Sequence, residues 1–362
     1  MNAPLDRRDL LRMGALAALP FAAARAAENE IRLPGEVRLG LLGLEGHYSE
    51  ALNAVRDYPA IKIVALETLS DEQDQAAARI PALATATRYK DYRRLLDAEK
   101  LDAVCVCDQN WRRAESVTAC LERGIPTAGE KPIASSIEQL EGLQRVADRT
   151  KTPLTTLLSM RYEPAFVAMK EIVASGAIGQ PILLSGQKSY KLGERRDWMK
   201  DRKTFGGTIP YIGCHVVDLL YFISGQDMTH ATGFHANVGA PQVREMENTC
   251  AFSLRLDNGG TAEVRLDYLR PSTAPTHGDD RIRVAGTKGV VEYQHGKVSL
   301  IDADGPPREI VELPKTRSLL ADFLDAVFNG STPMLTAPEV FRVARIVLRA
   351  RDAADTGRVL AI

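Results

Sequence analysis

The chain has 362 residues, of which 45% are hydrophobic and 26% are charged, and its formal net charge is -1. This composition is typical of a globular protein, and the length favours two domains over a single core. Positive and negative side chains are interspersed along the chain. The charge pattern therefore gives no basis for binding nucleic acid or an anionic membrane surface.

The first 30 residues have the features of an export leader. Arg7 and Arg8 precede an apolar run at 13–24, and Ala24-Arg25-Ala26 then supplies small residues two apart, as signal peptidase requires. The run is shorter than the roughly 20 apolar residues that span a bilayer, which argues against a membrane anchor. Paired arginines before such a run resemble a twin-arginine signal. We therefore expect residues 1–30 to be a leader and the mature protein to be periplasmic.

Residues 31–152 alternate between strand-like and helix-like patterns. Strand patterns cover 37–43, 61–66 and 103–107, and helical patterns cover about 48–57, 92–98 and 113–123. Strands that alternate with helices are typical of a parallel, doubly wound α/β sheet. The sequence therefore predicts an N-terminal Rossmann domain.

Residues 153–362 have a different pattern. Helical stretches at 164–174 and 210–223 are interleaved with alternating, strand-like stretches at 181–187, 249–256, 261–269, 281–285 and 289–293. This arrangement predicts an α+β domain on a mostly antiparallel open sheet. A last helix at 336–355 is expected to begin after Thr336 as N-cap and to end at Gly357.

The turn after the first strand reads Gly43-Leu44-Glu45-Gly46-His47. In a dinucleotide-binding fingerprint, glycines here let the backbone approach a pyrophosphate at the helix N-terminus. Gly43 is in register, but Glu45 takes the second glycine position and Gly46 is displaced by one. We assign Gly43, Gly46 and His47 to cofactor binding, with a plain tight turn as the alternative. Glu45 must then point away from the diphosphate.

Glu67 follows the second strand, where an acidic residue of a Rossmann domain binds the adenosine ribose hydroxyls. No Arg or Lys lies between residues 66 and 76 to bind a 2′-phosphate. We therefore expect NAD as the cofactor, with NADP as the alternative. A solvated acidic turn would give the same pattern.

Five further segments occur in a characteristic order. They are Glu130-Lys131-Pro132, Arg161-Tyr162-Glu163-Pro164-Ala165, and the stretches 175–179, 206–220 and 355–358. With them the chain resembles the glucose-fructose oxidoreductase, inositol dehydrogenase and MocA family (Gfo/Idh/MocA) over nearly all residues after the leader. The resemblance implies a Rossmann domain followed by a substrate domain. It also implies hydride transfer between a nicotinamide ring and a carbinol carbon, commonly of a sugar.

The resemblance also implies which residues are catalytic. Lys131 matches the family lysine beside the nicotinamide and the substrate hydroxyl, and His215 matches the acid/base histidine. Tyr211 stands where the family has an Asp. If Thr208 is the N-cap, Tyr211 and His215 lie one helical turn apart, with Asp218 on the same face. We predict that the Tyr211 hydroxyl relays protons, helped by Lys131.

Other residues receive supporting roles from the same resemblance. Cofactor binding is assigned to Asn110, Glu130 and Pro132 together with Lys131, and substrate binding to Arg161, Trp198, Tyr211, His215, Asp218 and His277. Trp198 could equally be a core residue, and His277 could belong to a polar hairpin. No Cys/His cluster has metal-ligand spacing, so we predict no metal.

The sequence thus predicts an NAD(P)-dependent oxidoreductase for a sugar or polyol. Since an exported enzyme cannot rely on free nicotinamide, we expect a tightly bound cofactor that is recycled within the site, and a homo-oligomer. One alternative is a redox-neutral carbohydrate enzyme, such as a glycoside-cleaving lyase or hydrolase or an epimerase, which oxidises its substrate transiently. The other is a non-catalytic sugar-binding protein, suggested by the altered glycine turn and the missing Asp.

Overall fold

The structure is a computed structural model that describes residues 31–303 and 305–362. The predicted leader and its twin-arginine signal lie outside the described residues.

The first domain is built on six parallel strands in the order β3-β2-β1-β4-β5-β6. The strands are β1 Val37–Leu42, β2 Ile61–Glu67, β3 Thr87–Tyr89, β4 Ala103–Val106, β5 Thr127–Gly129 and β6 Leu154–Thr156. The helices are α1 Ser49–Asp57, α2 Asp71–Ala78, α3 Tyr92–Ala98, α4 Asn110–Glu122 and α5 Ile137–Thr150. This order confirms the predicted Rossmann sheet, in which ligands bind where the strand order reverses, between β1 and β4.

The central strands are apolar on both faces because helices cover both sides of a doubly wound sheet. Leu39, Leu41 and Leu42 of β1 are fully buried, and so is every residue of β4. The sixth strand pairs with β5 and extends this sheet to Thr156, beyond the predicted boundary at residue 152.

The second domain contains a nine-stranded sheet in the order β14-β13-β12-β11-β7-β10-β9-β8-β15. Its strands are β7 Pro181–Lys191, β8 Met228–Ala236, β9 Thr249–Leu256, β10 Thr261–Arg270, β11 Gly278–Gly286, β12 Gly289–Gln294, β13 Lys297–Asp302, β14 Arg308–Glu309 and β15 Leu360–Ala361. Only β7 and β10 pair in parallel; the other pairs are antiparallel. This confirms the predicted, mostly antiparallel sheet. Burial alternates along β9 and β10, which leaves one face of the sheet exposed.

Three helices cover the inner face of this sheet: α6 Pro164–Ala174, α8 Thr208–Ser224 and α10 Ala337–Thr356. The other two, α7 Arg202–Phe205 and α9 Leu319–Asn329, contact α4 and α1 of the first domain. Almost all of α8 is buried. Gly186 of β7 permits the close approach of α8, because a Cβ atom there would overlap the side chain of Val216. The helix α10 returns to the first domain, where Arg351 donates to the Ser135 carbonyl at 2.6 Å. The two domains therefore enclose a cleft beside α8.

The start of α8 differs from the prediction. Its N-cap is Gly207, with a φ of 108°, and Thr208 is already the first helical residue. Glu247 performs the capping function instead: its carboxylate accepts from the Thr208 N–H at 2.9 Å, and its carbonyl accepts from the Thr208 hydroxyl at 2.7 Å. At the end of the chain, Thr336 and Gly357 are the predicted caps of α10.

The five cysteines are all free and buried. Burial raises the pKa of the Cys105, Cys120 and Cys214 thiols to about 12. These residues therefore pack as small apolar groups.

Candidate active site

The glycine turn lies at the carboxyl end of β1, where the strand order reverses. Gly43 has a φ of 77°, and a Cβ atom there would lie 2.5 Å from the Cys107 carbonyl oxygen. Gly46 has a φ of 58°, and a Cβ atom there would overlap the carboxylate of Glu130. Both glycines are therefore required by the packing of the turn itself, and they bring Glu130 against it.

Glu45 is buried within this turn, and its charge is balanced from the other domain. Its N–H donates to the Cys107 carbonyl at 2.9 Å, and its carboxylate forms an ion pair with Arg196, in the segment between β7 and α7. Burial raises the pKa of Glu45, and the Arg196 guanidinium opposes that shift. The side chain is thus directed to the second domain, as a bound diphosphate would require.

Glu67 is fully buried at the end of β2. One carboxylate oxygen accepts from the Tyr92 N–H at 3.1 Å and from Arg112 Nη2 at 3.0 Å, while Oε2 has no hydrogen-bond partner. Asp108, just beyond β4, also has a buried oxygen, Oδ1, without a hydrogen bond. These two carboxyl groups also interact with each other: the Asp108 charge raises the pKa of Glu67, and Arg112 Nη1 lies 3.5 Å from Asp108 Oδ1. An acidic group at the end of β2, where ribose hydroxyls bind a Rossmann domain, fits a dinucleotide. Sequence reasoning missed Arg112, because this cation comes from α4 and not from the segment after β2.

Asn110, Arg113 and Pro132 form a buried support beneath the cofactor side of the cleft. Asn110 Nδ2 donates to the Phe205 carbonyl at 2.7 Å, and Arg113 Nη1 donates to Asn110 Oδ1 at 3.0 Å. The same Arg113 nitrogen donates to the Pro132 carbonyl at 2.8 Å. The polar atoms of Asn110 are therefore used within the protein, so this residue positions the loop that carries Lys131.

Lys131 and His215, predicted from separate segments, are brought together in the cleft with Glu130 and His47. Lys131 Nζ donates to the Tyr211 carbonyl at 2.9 Å and lies 3.9 Å from Glu130 Oε1. His47 Nδ1 lies 2.9 Å from Glu130 Oε1, and the His47 and His215 ring centroids are 5.3 Å apart. The Rossmann domain thus supplies three members of this group, and α8 supplies His215.

His215 is buried, and its Nδ1 has no hydrogen-bond partner. Burial lowers the pKa of His215 well below 6.5, and the nearby Lys131, Lys188 and His47 lower it further. The imidazole is therefore neutral at neutral pH, which is the form that can accept a proton from a hydroxyl.

Tyr211 contacts Lys131 through its ring face. Lys131 Nζ lies 3.8 Å from the ring centroid and donates to the backbone carbonyl of Tyr211, not to its hydroxyl. The other neighbour of the ring is Phe205, with centroids 5.0 Å apart. This placement suits a residue that positions the ammonium by a cation–π contact, and it does not support the predicted tyrosine-lysine proton relay.

Arg161 and Asp218 correct the prediction that they bind substrate. Both are fully buried, and Arg161 Nη2 and Nε bind the Asp218 carboxylate at 2.5 and 3.2 Å. Arg161 Nη1 also binds Glu339 Oε1 at 3.0 Å. Asp218 shares a helix with His215, but it lies beneath the cleft. There Arg161 binds both Asp218 of α8 and Glu339 of α10 and so joins the two helices.

Trp198 and His277 lie at the margins of the cleft. Trp198 is half-buried, its ring centroid is 6.3 Å from that of Phe205, and its Nε1 is buried without a partner. His277 is exposed just before β11, and its ring lies 4.9 Å from that of Tyr190. Both side chains are therefore available to contact a ligand.

Sequence reasoning missed Lys188, the second buried cation of the cleft. Lys188 is 2% exposed, and its Nζ donates to the Tyr190 hydroxyl and to Asp280 Oδ2, each at 2.7 Å. The predicted strand ended at residue 187, so Lys188 fell outside it. Alternation from Gly186, which faces α8, would have placed Lys188 and Tyr190 on the inner face.

Two parts of the chain match one protein family. Residues 37–157 match the oxidoreductase family with an NAD-binding Rossmann fold, and residues 166–292 match the GFO/IDH/MocA C-terminal domain. The chain belongs to the Gfo/Idh/MocA oxidoreductase family. It is therefore an NAD(P)-dependent dehydrogenase, and the non-catalytic alternative is wrong.

Relatives match over most of their length. The NAD-dependent scyllo-inositol 2-dehydrogenase of Bacillus subtilis is 24% identical over 316 residues, which cover 83% of this chain and 89% of that protein. An NADP-dependent D-xylose 1-dehydrogenase of Haloferax volcanii is 25% identical over 304 residues, which cover 80% and 89%. A solved oxidoreductase structure from Thermotoga maritima is 31% identical, with a TM-score of 0.84, and the match covers 90% of this chain and 100% of that one.

The pKa of His215 predicts how the rate depends on pH. Oxidation should continue below pH 6.5, because His215 stays neutral there. Protonation of His215 would place a further cation beside Lys131 and Lys188. The measurement is the acid limb of kcat against pH for the substrate turned over fastest. Lys188→Met should move that limb upward, and Lys191→Met, whose ammonium binds backbone carbonyls, should not. An acid limb at or above pH 6.5 in the unmodified protein would contradict this assignment.

Two substitutions of Tyr211 separate positioning from proton relay. Tyr211→Phe keeps the ring face under Lys131 and should change kcat little. Tyr211→Leu removes a cation–π contact of about 0.5–2 kcal/mol and should lower kcat more. Both are measured at saturating cofactor, with thermal unfolding as the control. A loss on the order of 10²-fold in Tyr211→Phe would instead support the relay.

Proposed function

We propose that this chain oxidises or reduces a carbinol carbon of a sugar or polyol and keeps its nicotinamide cofactor bound between turnovers. The pairing of Lys131 with a neutral His215, at the carboxyl end of the Rossmann sheet, carries the proposal. The named substrates of the two relatives, scyllo-inositol and D-xylose, support the substrate class.

The protein residues handle the proton and the charge. The neutral imidazole of His215 accepts the proton of the substrate hydroxyl during oxidation and returns it during reduction. The Lys131 ammonium stabilises negative charge that develops on the substrate oxygen. When bound, the nicotinamide supplies the hydride acceptor or donor. Glu67 and Asp108 would hold the adenosine ribose of the cofactor, and the turn at Gly43 and Gly46 would hold the diphosphate.

Retention of the cofactor is supported by the contact between Glu45 and Arg196. This ion pair crosses from the glycine turn to the second domain and neutralises the Glu45 carboxylate within that turn. A cofactor held in this way would be reoxidised in the same site, by a second sugar or by reversal of a transient oxidation.

Purified protein should release NAD or NADP in near-stoichiometric amounts on acid denaturation. Arg196→Ala should retain less cofactor after dialysis, by up to about fivefold, since an exposed ion pair contributes about 0–1 kcal/mol. Lys203→Ala, which removes the same charge from an exposed side chain of the neighbouring helix α7, is the matched control. Mass spectrometry of the released nucleotide makes the measurement.

Two results would count against this function. Cofactor that is absent from purified protein but binds when added contradicts retention alone. Failure of both NAD and NADP to bind at millimolar concentration contradicts the dehydrogenase function as well.

We also propose export by the twin-arginine route, because Arg7 and Arg8 precede the apolar run of the leader. Replacing both with Lys should leave the protein in the cytoplasm with its leader uncleaved. Arg12→Lys, a similar change outside the pair, should leave export intact. Cell fractionation and the mass of the mature chain provide the readout. Undiminished periplasmic protein from the Arg7→Lys, Arg8→Lys variant would refute this route.

A further inference from the structure

A cavity of about 740 Å³ opens beside the substrate cleft, between the segment before β11 and the β12–β13 hairpin. Its lining includes Tyr190, Pro275, Asp280, Tyr293 and His295. The volume is within the roughly 300–1,000 Å³ of small-molecule sites. The proposed hydride transfer at His215 does not use it.

The cavity adjoins the reacting centre through Lys188. Tyr190 and Asp280 line the cavity, and their polar atoms each lie 2.7 Å from Lys188 Nζ. Lys188 lies two residues after Gly186 on β7, and Gly186 lies against Val216, the residue that follows His215 on α8. The cavity therefore adjoins the part of the sheet that packs against the helix of His215.

The polar groups at this junction have unused hydrogen-bonding capacity. The Lys188 ammonium has three N–H donors, two of which are used by Tyr190 and Asp280. Because the Tyr190 hydroxyl accepts from Lys188, its own proton is left to donate. Asp280 Oδ1 is buried without a hydrogen-bond partner. Neighbouring donors and acceptors match hydroxyl groups, which both donate and accept.

The walls of the cavity suit the same chemistry. Tyr190 on β7 and Tyr293 on β12 lie on the two strands that flank β11 in the same sheet, and both line the cavity. The Tyr293 ring is held by Phe166, with centroids 4.7 Å apart. Rings fixed in this way offer flat apolar surfaces at a low cost in conformational entropy, and their hydroxyl ends stay polar. A sugar ring has both kinds of surface.

We propose that this cavity is a second sugar subsite and that the substrate is a glycoside, with its reacting ring at His215 and its neighbouring ring against Tyr190 and Tyr293. This inference rests on the proposed sugar or polyol dehydrogenase and specifies its substrate class. In this arrangement Asp280 and Tyr190 lie between the two rings, because both residues line the cavity and both hydrogen-bond to Lys188.

Binding to the holoenzyme tests the inference. The probes are glucose, galactose, mannose and xylose, each compared with disaccharides built from it, with affinity measured by calorimetry. At least one disaccharide should bind on the order of tenfold tighter than its monosaccharide, as one or two added net hydrogen bonds would give. Tyr293→Leu should reduce that affinity to the monosaccharide level and leave monosaccharide binding unchanged.

Gln294→Leu is the matched control, because Gln294 follows Tyr293 on β12, where successive side chains point to opposite faces of the sheet, and Tyr293 but not Gln294 lines this cavity. His295→Asn removes an exposed wall residue and serves if Tyr293→Leu does not fold, which thermal unfolding would reveal. Disaccharides that bind no tighter than monosaccharides would overturn the subsite and leave the proposed function standing. So would unchanged disaccharide affinity in folded wall variants. If no sugar of either size binds to cofactor-loaded protein, the proposed substrate class fails as well.

Discussion

The ammonium of Lys131 is buried at the junction of the two domains, and a charge in such a place is tolerated only with close partners. Glu130 supplies the opposite charge, and Tyr211 supplies a carbonyl oxygen and the face of its ring. Lys131 belongs to the first domain and Tyr211 to α8 of the second. The same contacts that make the charge tolerable therefore fix the distance between the Rossmann sheet and the helix that carries His215.

The electrostatics of the cleft follow from this arrangement. The charged groups that act on His215 are all cationic, and the nearest carboxylates are committed elsewhere: Glu130 to His47 and Asp280 to Lys188. Burial would raise the pKa of Glu130, but His47 and Lys131 lower it, so that carboxylate stays ionised. A site with more cations than free carboxylates favours a neutral base and stabilises negative charge on a substrate oxygen.

The sequence was most informative where the local residue pattern by itself determines the position of a residue in the fold. Periodicity and the glycine turn predicted the Rossmann strands, and the motif around Lys131 and that around His215 predicted two halves of one site. Burial was not predictable from spacing: Asp218 shares a helix face with His215 but lies beneath the cleft, bound to Arg161. Lys188 was missed because the predicted strand stopped at residue 187, whereas pairing with β10 and β11 continues the strand beyond it. Likewise, the cap at Thr208 comes from Glu247, which is distant in sequence.

The buried, unpaired cysteines affect where this fold can persist. Oxidants and disulfide exchange act on the thiolate, and a thiol whose pKa is about 12 is ionised only on the order of one part in 10⁵ at neutral pH. Once Cys105, Cys120 and Cys214 are packed, these three thiols are therefore protected from thiolate chemistry, and the described residues contain no disulfide. The unfolded chain lacks that protection. For such a protein, the order of folding and exposure to oxidants determines whether native or cross-linked molecules accumulate.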